Sequence, residues 1–302
     1  METKVSKPFL YLRLMKIAAT VILYHPASNT LKNIQSYASK VEKVFVFDNT
    51  EGEESTIREV LSKDSKIQYY HDSQNRGIAE RLNQAAQKAI EEGFDWLLMM
   101  DQDSEFEGNA IQLYMDCIRK YSDTAKVALF GTNYSRTQQV SNGEIISREV
   151  NAMITSGTML NLELYPIIGQ FDEALFIDAV DVEYCLNAKT KGFSVIQLMN
   201  IFLRHELGNA VRRASIKTLF LVKKQKELHS ALRYYYIYRN NLYLQEKYKN
   251  FDKAVMKNID SCAMSHLEKG IFYGRNIKDI IKYLIKARRD FKQNRMGKFQ
   301  SN

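Results

Sequence analysis

The chain has 302 residues, 45% hydrophobic and 26% charged, an ordinary balance for a globular protein with a large core. Charge divides along it: residues 1–203 hold 20 basic and 27 acidic side chains, a net of −7, whereas residues 204–302 hold 23 and 8, a net of +15. No apolar run approaches the roughly 20 residues of a membrane span, and three scattered cysteines without CxxC or zinc spacing argue against a disulfide framework and for a reducing, cytoplasmic setting.

In METKVSKPFLYLRLMK, Arg13 interrupts the apolar stretch and no small-residue cleavage site follows, so a signal peptide is not expected. Residues 1–15 read as an extension before the first strand. Ile17 to Tyr24 (IAATVILY) predicts a buried strand, Leu31 to Ser39 a short helix, and Lys43 to Asp48 (KVFVFD) a strand. Thr56 to Ser62 reads as a helix and Ile67 to Tyr70 as a short strand. Gly77 to Glu92 carries Ile78, Leu82, Ala85, Ala86, Ala89 and Ile90 at helical spacing. Trp96 to Met100 is a strand, Gly108 to Tyr121 a helix and Val127 to Phe130 a strand. Short apolar strands alternating with helices predict an α/β fold with a mostly parallel, Rossmann-like central sheet flanked by helices. We place it over residues 16–210, followed by a helical, basic C-terminal region over residues 211–302. Ligands bind such sheets beyond the carboxyl ends of the strands, where Asp48 and Asp101 fall.

The stretch WLLMMDQDSEF (Trp96 to Phe106) runs from a buried strand into two carboxylates. In extended backbone Asp101 and Asp103 point the same way. Two hard oxygen donors on one side suit Mg²⁺ or Mn²⁺, which takes one or two carboxylates together with substrate phosphates. The alternative is a solvated turn whose acids cap the next helix. Other stretches sharpen the pattern: FVFDNT (Phe45 to Thr50), NRGIAERLNQA (Asn75 to Ala85), ITSGTMLN (Ile154 to Asn161) with a small-residue turn after a strand, FDEALFIDAVDVEYCLNAKTKGF (Phe171 to Phe193) and LRHELGN (Leu203 to Asn209).

In this order, from Lys16 to Leu244, these stretches resemble the inverting family 2 glycosyltransferases of GT-A fold. DQDS, FIDAVDVEYCLNA and YYYIYRNNLYL (Tyr234 to Leu244) look most like the bacterial rhamnosyltransferase branch. The resemblance implies a nucleotide-sugar donor, with dTDP-L-rhamnose preferred and UDP-glucose, UDP-galactose or UDP-galactofuranose as alternatives. It also implies a divalent cation, Mg²⁺ or Mn²⁺, and a hydroxyl acceptor on a glycan or polyprenyl-linked glycan. Thr20 and Tyr24 then belong to the nucleotide pocket. Asp48 accepts a hydrogen bond from base or ribose, or else only closes a strand-end turn. Arg76 contacts the diphosphate, and Asn83 steadies the nucleotide side. Asp103 is the metal ligand, Asp101 contacts ribose or a metal-bound water, and His205 completes the cation site. Gly157 lets the backbone approach the donor sugar.

Inversion needs a base opposite the leaving group. By the same resemblance it is Asp181, which also suits a helix N-terminus. The family's usual preceding Glu is Val180 here, which leaves Asp178 or Glu183 to supply any second carboxylate. Beyond His205, Tyr234, Tyr238 and Asn241 share a helix side that faces acceptor, membrane or the catalytic domain. IKDIIKYLIKARRDFK (Ile277 to Lys292) is a basic amphipathic helix, suited to an anionic membrane at the cytoplasmic face, to core packing or to a homodimer. Two other classes fit less well. A dinucleotide or P-loop enzyme lacks its glycine-rich turn, since YHPAS follows the first strand. An RNA-binding protein lacks a recognised motif, so no nucleic-acid partner is expected.

Overall fold

The structure, a computed structural model, describes residues 15–53, 56–134, 145–205, 210–213, 224–274 and 276–301, with backbone only for 205, 210–213 and 224–227. The expected N-terminal extension, Met15 apart, and residues 206–209 of LRHELGN lie outside the described residues.

The first half alternates as its apolar pattern requires: β1 (Ile17–Leu23), α1 (Thr30–Ala38), β2 (Lys43–Asp48), α2 (Ile57–Leu61), β3 (Ile67–His71), α3 (Gly77–Glu91), β4 (Trp96–Asp101), β5 (Ser104–Glu105), α4 (Ala110–Lys120) and β6 (Val127–Asn133). There follow β7 (Ser147–Glu149), β8 (Thr158–Asn161), α5 (Tyr165–Ile168), α6 (Val180–Thr190), β9 (Ser194–Phe202), β10 (Arg204–His205), β11 (Ala210–Arg213) and β12 (Lys224–Glu227). Three helices close the chain, α7 (Ala231–Lys247), α8 (Lys253–Tyr273) and α9 (Ile277–Lys292).

Eight strands form one sheet in the order β3-β2-β1-β4-β8-β6-β9-β7. The pairs β1–β2, β2–β3, β1–β4 and β6–β9 are parallel, while β8 runs antiparallel to β4 and β6, and β7 to β9. The turn Thr155–Gly157 therefore opens a strand, β8, rather than following one as the sequence suggested. Isolated apolar runs show where strands lie but not which way they point.

Both faces of the sheet are covered, and the period of two sorts the side chains. Ala18, Phe45, Phe47, Leu97 and Met99 pack on the face of α3 and α6. Their sequence neighbours Ala19, Val44, Val46, Leu98 and Met100 pack on the opposite face with Ile34 and Tyr37 of α1 and Ile111 and Ile118 of α4. All of β1 but Ile22 and all of β4 but Asp101 is thus buried, which is why the strands read as continuous apolar runs.

The C-terminal helices join the same core. Leu244, Tyr248 and Met256 pack with the α3–α6 layer. Glu183 is 1% exposed; Tyr248 donates to its Oε1 at 2.6 Å and Lys247 Nζ lies 2.8 Å away. Glu183 therefore tethers α7 to α6 and does not supply a second carboxylate to the crevice. Tyr234, Tyr235 and Tyr236 are buried, and Asn241 donates to Asp260 Oδ1 at 2.8 Å. The aromatic cluster is a packing surface, not an open platform. No helix among the described residues is long and apolar enough to cross a membrane.

Candidate active site

Strand register sets the site. Leu23 lies beside Asp48, and Ile22 beside Asp101, so β1, β2 and β4 end along one edge. The reversal of strand order at β1–β4 opens the crevice where ligands of such sheets sit.

Gln102, between the two aspartates in the turn that follows β4, anchors their loop. Tyr24 N–H donates to its Oε1 at 2.9 Å, its Nε2 donates to Tyr24 O at 3.1 Å, and Asn33 Nδ2 donates to its carbonyl at 2.9 Å. Asp101 N–H donates to Ser156 Oγ at 3.2 Å, joining the loop to the Thr155–Gly157 turn. Beyond it, Ser104 pairs with His205 and Glu105 with Arg204, so the His205 backbone lies beside the Asp103 loop. The His205 side chain is outside the described residues.

Asp181 stands in the first turn of α6. Its Oδ2 accepts from Thr155 N at 3.1 Å and its Oδ1 from Val182 N at 2.9 Å. Burial pushes its carboxyl up to about 6, and the charge of Asp178 pushes the same way, against the backbone amides of Val182, Thr155 and Asp181 itself, which lower it. Asp178 takes a double contact from α7: Arg233 Nη2 and Nε donate to its Oδ1 at 3.0 and 3.2 Å. Asp178 Oδ2 is buried without a hydrogen-bond partner among the described residues. The Arg233 guanidinium is held above its ordinary pKa first by Asp178 and also by Asp101 and Asp103. The β4 loop, the α6 start and the α7 start therefore share one electrostatic field.

A cavity of about 940 Å³ opens beside this cluster, lined in part by Asp178, Arg233, Ile237, Asn241, Ile259 and His266. It lies between the sheet edge and α7–α8. On the other side, Arg76, Asn75, Glu51 and Lys298 line a second pocket of about 380 Å³.

The remaining sequence candidates sit as follows. Tyr24 is 46% exposed at the β1 end. Arg76, at the start of α3, forms ion pairs with Asp72 at 2.5 Å and Glu80 at 3.1 Å. Asp48 is fully buried, its oxygens accepting from Thr50 N at 2.8 Å and Tyr69 O–H at 2.5 Å, so it closes the strand-end turn. Thr20 is buried within β1 and donates to Phe45 O at 3.1 Å, away from the strand end. Asn83 is also buried: its Oδ1 accepts from Tyr165 O–H and Phe171 N, both at 2.8 Å, and its Nδ2 donates to Phe171 O at 3.0 Å and Glu173 Oε1 at 2.8 Å. It braces the 165–173 loop instead of facing the crevice. Gly157 has φ +72°, and a Cβ there would lie 2.7 Å from Thr132 Oγ1 and 2.9 Å from Leu203 Cδ2. The close approach that requires glycine is made by the protein itself. The structure thus gathers Asp101, Asp103 and Asp181, leaves Tyr24 and Arg76 on the neighbouring rim, and sinks Thr20, Asp48 and Asn83 into the scaffold. It keeps Asp178, the candidate second carboxylate, and Ser156 of the small-residue turn beside them, and adds Gln102 and Arg233. Neither Gln102, which lies in a turn and not in extended backbone, nor Arg233, 55 residues from Asp178, carried a local signal.

The donor set fits a hard divalent cation: adjacent carboxylates in a field negative enough to raise an arginine's pKa. Among the described residues no group of three or more His, Cys, Asp or Glu side chains converges as a complete metal site. The protein donors fit an ion that shares its shell with substrate oxygens.

Residues 25–173 match the family described as Glycosyl transferase family 2. The chain is 27% identical over 255 residues to the dTDP-rhamnosyl transferase RfbF of Shigella flexneri, across 76% of this chain and 80% of that protein. Among solved structures, GalNAc-T7 with UDP, GalNAc and Mn²⁺ aligns with a TM-score of 0.52 at 12% identity, over 64% of this chain and 44% of that one. TarS of S. aureus aligns with a TM-score of 0.51 at 14% identity, over 92% and 49%. The chain spans less than half the length of either structure, and the likeness speaks to fold.

Proposed function

We propose that this chain, which belongs to glycosyl transferase family 2 and has its GT-A fold, transfers a sugar with inversion to a hydroxyl of a glycan or polyprenyl-linked glycan. L-rhamnose from dTDP-L-rhamnose is the preferred donor, on the strength of the relative named above. A UDP-hexose or UDP-galactofuranose is the alternative within the same fold.

The observation that carries this reading is the placement of Asp181. Its carboxyl is raised to about 6 and bonds Thr155 of the turn whose Ser156 holds Asp101, while Asp178, three residues before it, lines a cavity large enough for an acceptor. In the proposed reaction the acceptor hydroxyl enters from the cavity and gives its proton to the Asp181 carboxylate. Its oxygen bonds to the anomeric carbon as the bond from that carbon to the phosphate oxygen breaks, and the nucleoside diphosphate leaves with the electron pair. The Val182 and Thr155 amides fix the orientation of Asp181. Asp101 and Asp103 would hold Mg²⁺ or Mn²⁺, with His205 as a further candidate ligand. Such an ion, when bound, supplies Lewis-acid stabilisation of charge on the diphosphate. Arg233 adds positive charge in the same field, and Tyr24 and Arg76 are placed to meet the nucleotide and its phosphates.

A thermal-shift series tests this directly, because a ligand that binds only the folded state raises the melting temperature. dTDP-L-rhamnose with Mn²⁺ or Mg²⁺ is expected to raise it, and less so without metal. A shift with a UDP-sugar instead keeps the enzyme class and replaces the donor. No shift with any nucleotide sugar removes the reading and turns attention to RNA binding by the basic region.

We further propose that the enzyme works at the cytoplasmic face of an anionic membrane, docked through α9. Ile277, Ile281 and Ile285 recur every fourth residue and are 41%, 46% and 66% exposed. Lys278, Lys282, Arg288, Arg289 and Lys292 lie on the same helix, exposed. A second copy would bring like charges together, whereas an anionic bilayer complements both stripe and charge. Flotation with vesicles containing phosphatidylglycerol should carry the protein at low salt and release it at high salt, and Ile281→Asp with Ile285→Asp should abolish it. Equal binding to neutral vesicles, or no flotation together with a dimer that this double variant dissociates, would overturn membrane docking.

A further inference from the structure

The stretch YYYIYRNN reaches back from α7 to the turn before α6. Just before α6, Asp178 and Ala179 take left-handed backbone, with φ +66° and +67°. Two consecutive non-glycine residues rarely do so, and they keep it only when their surroundings hold them there.

The holding group is one amide. Asn240 Nδ2 donates to Ile177 O at 2.8 Å and to Asp178 O at 2.9 Å. Its Oδ1 accepts from Arg239 Nε at 3.2 Å and Nη2 at 3.1 Å. Arg239 is fully buried, with its guanidinium 5.1 and 5.2 Å from the rings of Tyr235 and Tyr236. A guanidinium only donates, so it forces the amide oxygen toward itself and the NH₂ toward the turn. Tyr235 O–H donates in turn to Asp290 Oδ2 at 2.8 Å, tying the arrangement to α9. Two residues beyond the turn stands Asp181.

We propose that Asn240, oriented by Arg239, is a positioning residue of the active site: it clamps the turn at Asp178 and Ala179 in left-handed backbone so that α6 begins with Asp181 held against the Thr155 turn. This rests on the reading of Asp181 as the base. The C-terminal helices are on this view part of the catalytic apparatus, although no side chain of the clamp touches substrate.

The clamp sets the geometry of the base and leaves donor binding alone, so its loss belongs in kcat. Asn240→Ala is expected to lower kcat by up to about 100-fold, as an ångström-scale misplacement does, with the donor KM little changed. Glycine adopts left-handed backbone without steric cost. Ala179→Gly alone should therefore change little, whereas in the Asn240→Ala background it should restore kcat about tenfold. A wild-type kcat for Asn240→Ala overturns the clamp, and so does a loss that glycine at 179 does not rescue. Should Asn240→Ala fail to fold, Ala179→Val in the native background reads the same turn, and a normal kcat there overturns the proposal equally. Asp181→Asn run alongside separates the two levels. If it retains turnover, the base assignment falls and the clamp's catalytic role with it. If it is inactive while Asn240→Ala is normal, the clamp falls alone.

Discussion

Asp181→Asn should reduce transfer by about a thousandfold or more while leaving donor binding intact, the loss expected when a positioned base is removed from a step that needs it. The amide keeps the shape of the carboxyl but has one acceptor oxygen where the carboxylate has two, so it can keep the bond from Val182 N or the one from Thr155 N, not both, and the α6 start rests on the one that remains. What it lacks is a basic oxygen for the acceptor proton. The same carboxyl sets the acid limb of the pH profile. Burial pushes it up to about 6, so the ionised form, and with it kcat/KM, is lost as pH falls through about 6. The stability sign runs the other way. A carboxyl raised above its unfolded value of 3.8 holds its proton more tightly when folded, so its contribution to stability is full below that value and is lost as pH rises through about 6. Asp181→Asn loses one backbone hydrogen bond at every pH but not the penalty of burying a charge, so its melting temperature relative to the native protein should rise as pH increases through about 6. Wild-type turnover by this variant, or an acid limb unmoved from that of an ordinary carboxylate, would sink the base assignment.

The sequence made the first half of this fold readable because burial on both faces leaves unmixed apolar strands: KVFVFD ends where β2 ends, and the strand read over Trp96 to Met100 stops one residue short of the end of β4. Strand direction was less legible. β8 pairs antiparallel between β4 and β6, and nothing in TMLN distinguishes that from a parallel strand. Motif spacing drew attention to Asp101, Asp103 and Asp181, since Asp101 ends a strand, Asp103 lies in the turn after it and Asp181 stands in the first turn of a helix. It could not foresee where Asn83 and Glu183 would be absorbed. Both lie on helices at positions that look exposed in isolation, and both are buried by partners distant in sequence: Tyr165 and Phe171 for Asn83, Lys247 and Tyr248 for Glu183. The reverse holds for Arg233 and Asn240, which sit in an aromatic stretch that reads as packing and yet reach back to the turn at Asp178. A polar side chain's role depends on what the tertiary fold brings against it, and periodicity carries no record of that.

Asp103→Ala should raise the Mn²⁺ concentration needed for half-maximal donor binding on the order of 100-fold, equivalent to about 3 kcal/mol, with the acid limb of activity left in place. The loop itself should tolerate the change, because Gln102 anchors it through Tyr24 and Asn33, and Asp101 is fixed through Ser156. The loss would then belong to the carboxylate and not to a collapsed turn, and an unchanged melting temperature without ligand checks that point. Titrating Mn²⁺ against the donor-induced thermal shift reads the effect without any need for turnover. If the metal dependence of Asp103→Ala matches that of the native protein, the carboxylate pair is not the cation site. The stabilisation of the departing diphosphate would then have to come from protein cations, and Arg233 is the one that Asp178 already holds in the same field as Asp101 and Asp103. Arg233→Lys would separate the cases: it keeps the charge but loses the two-nitrogen contact with Asp178 Oδ1, so it should cost more where the guanidinium faces the diphosphate alone than where it shares that charge with a metal.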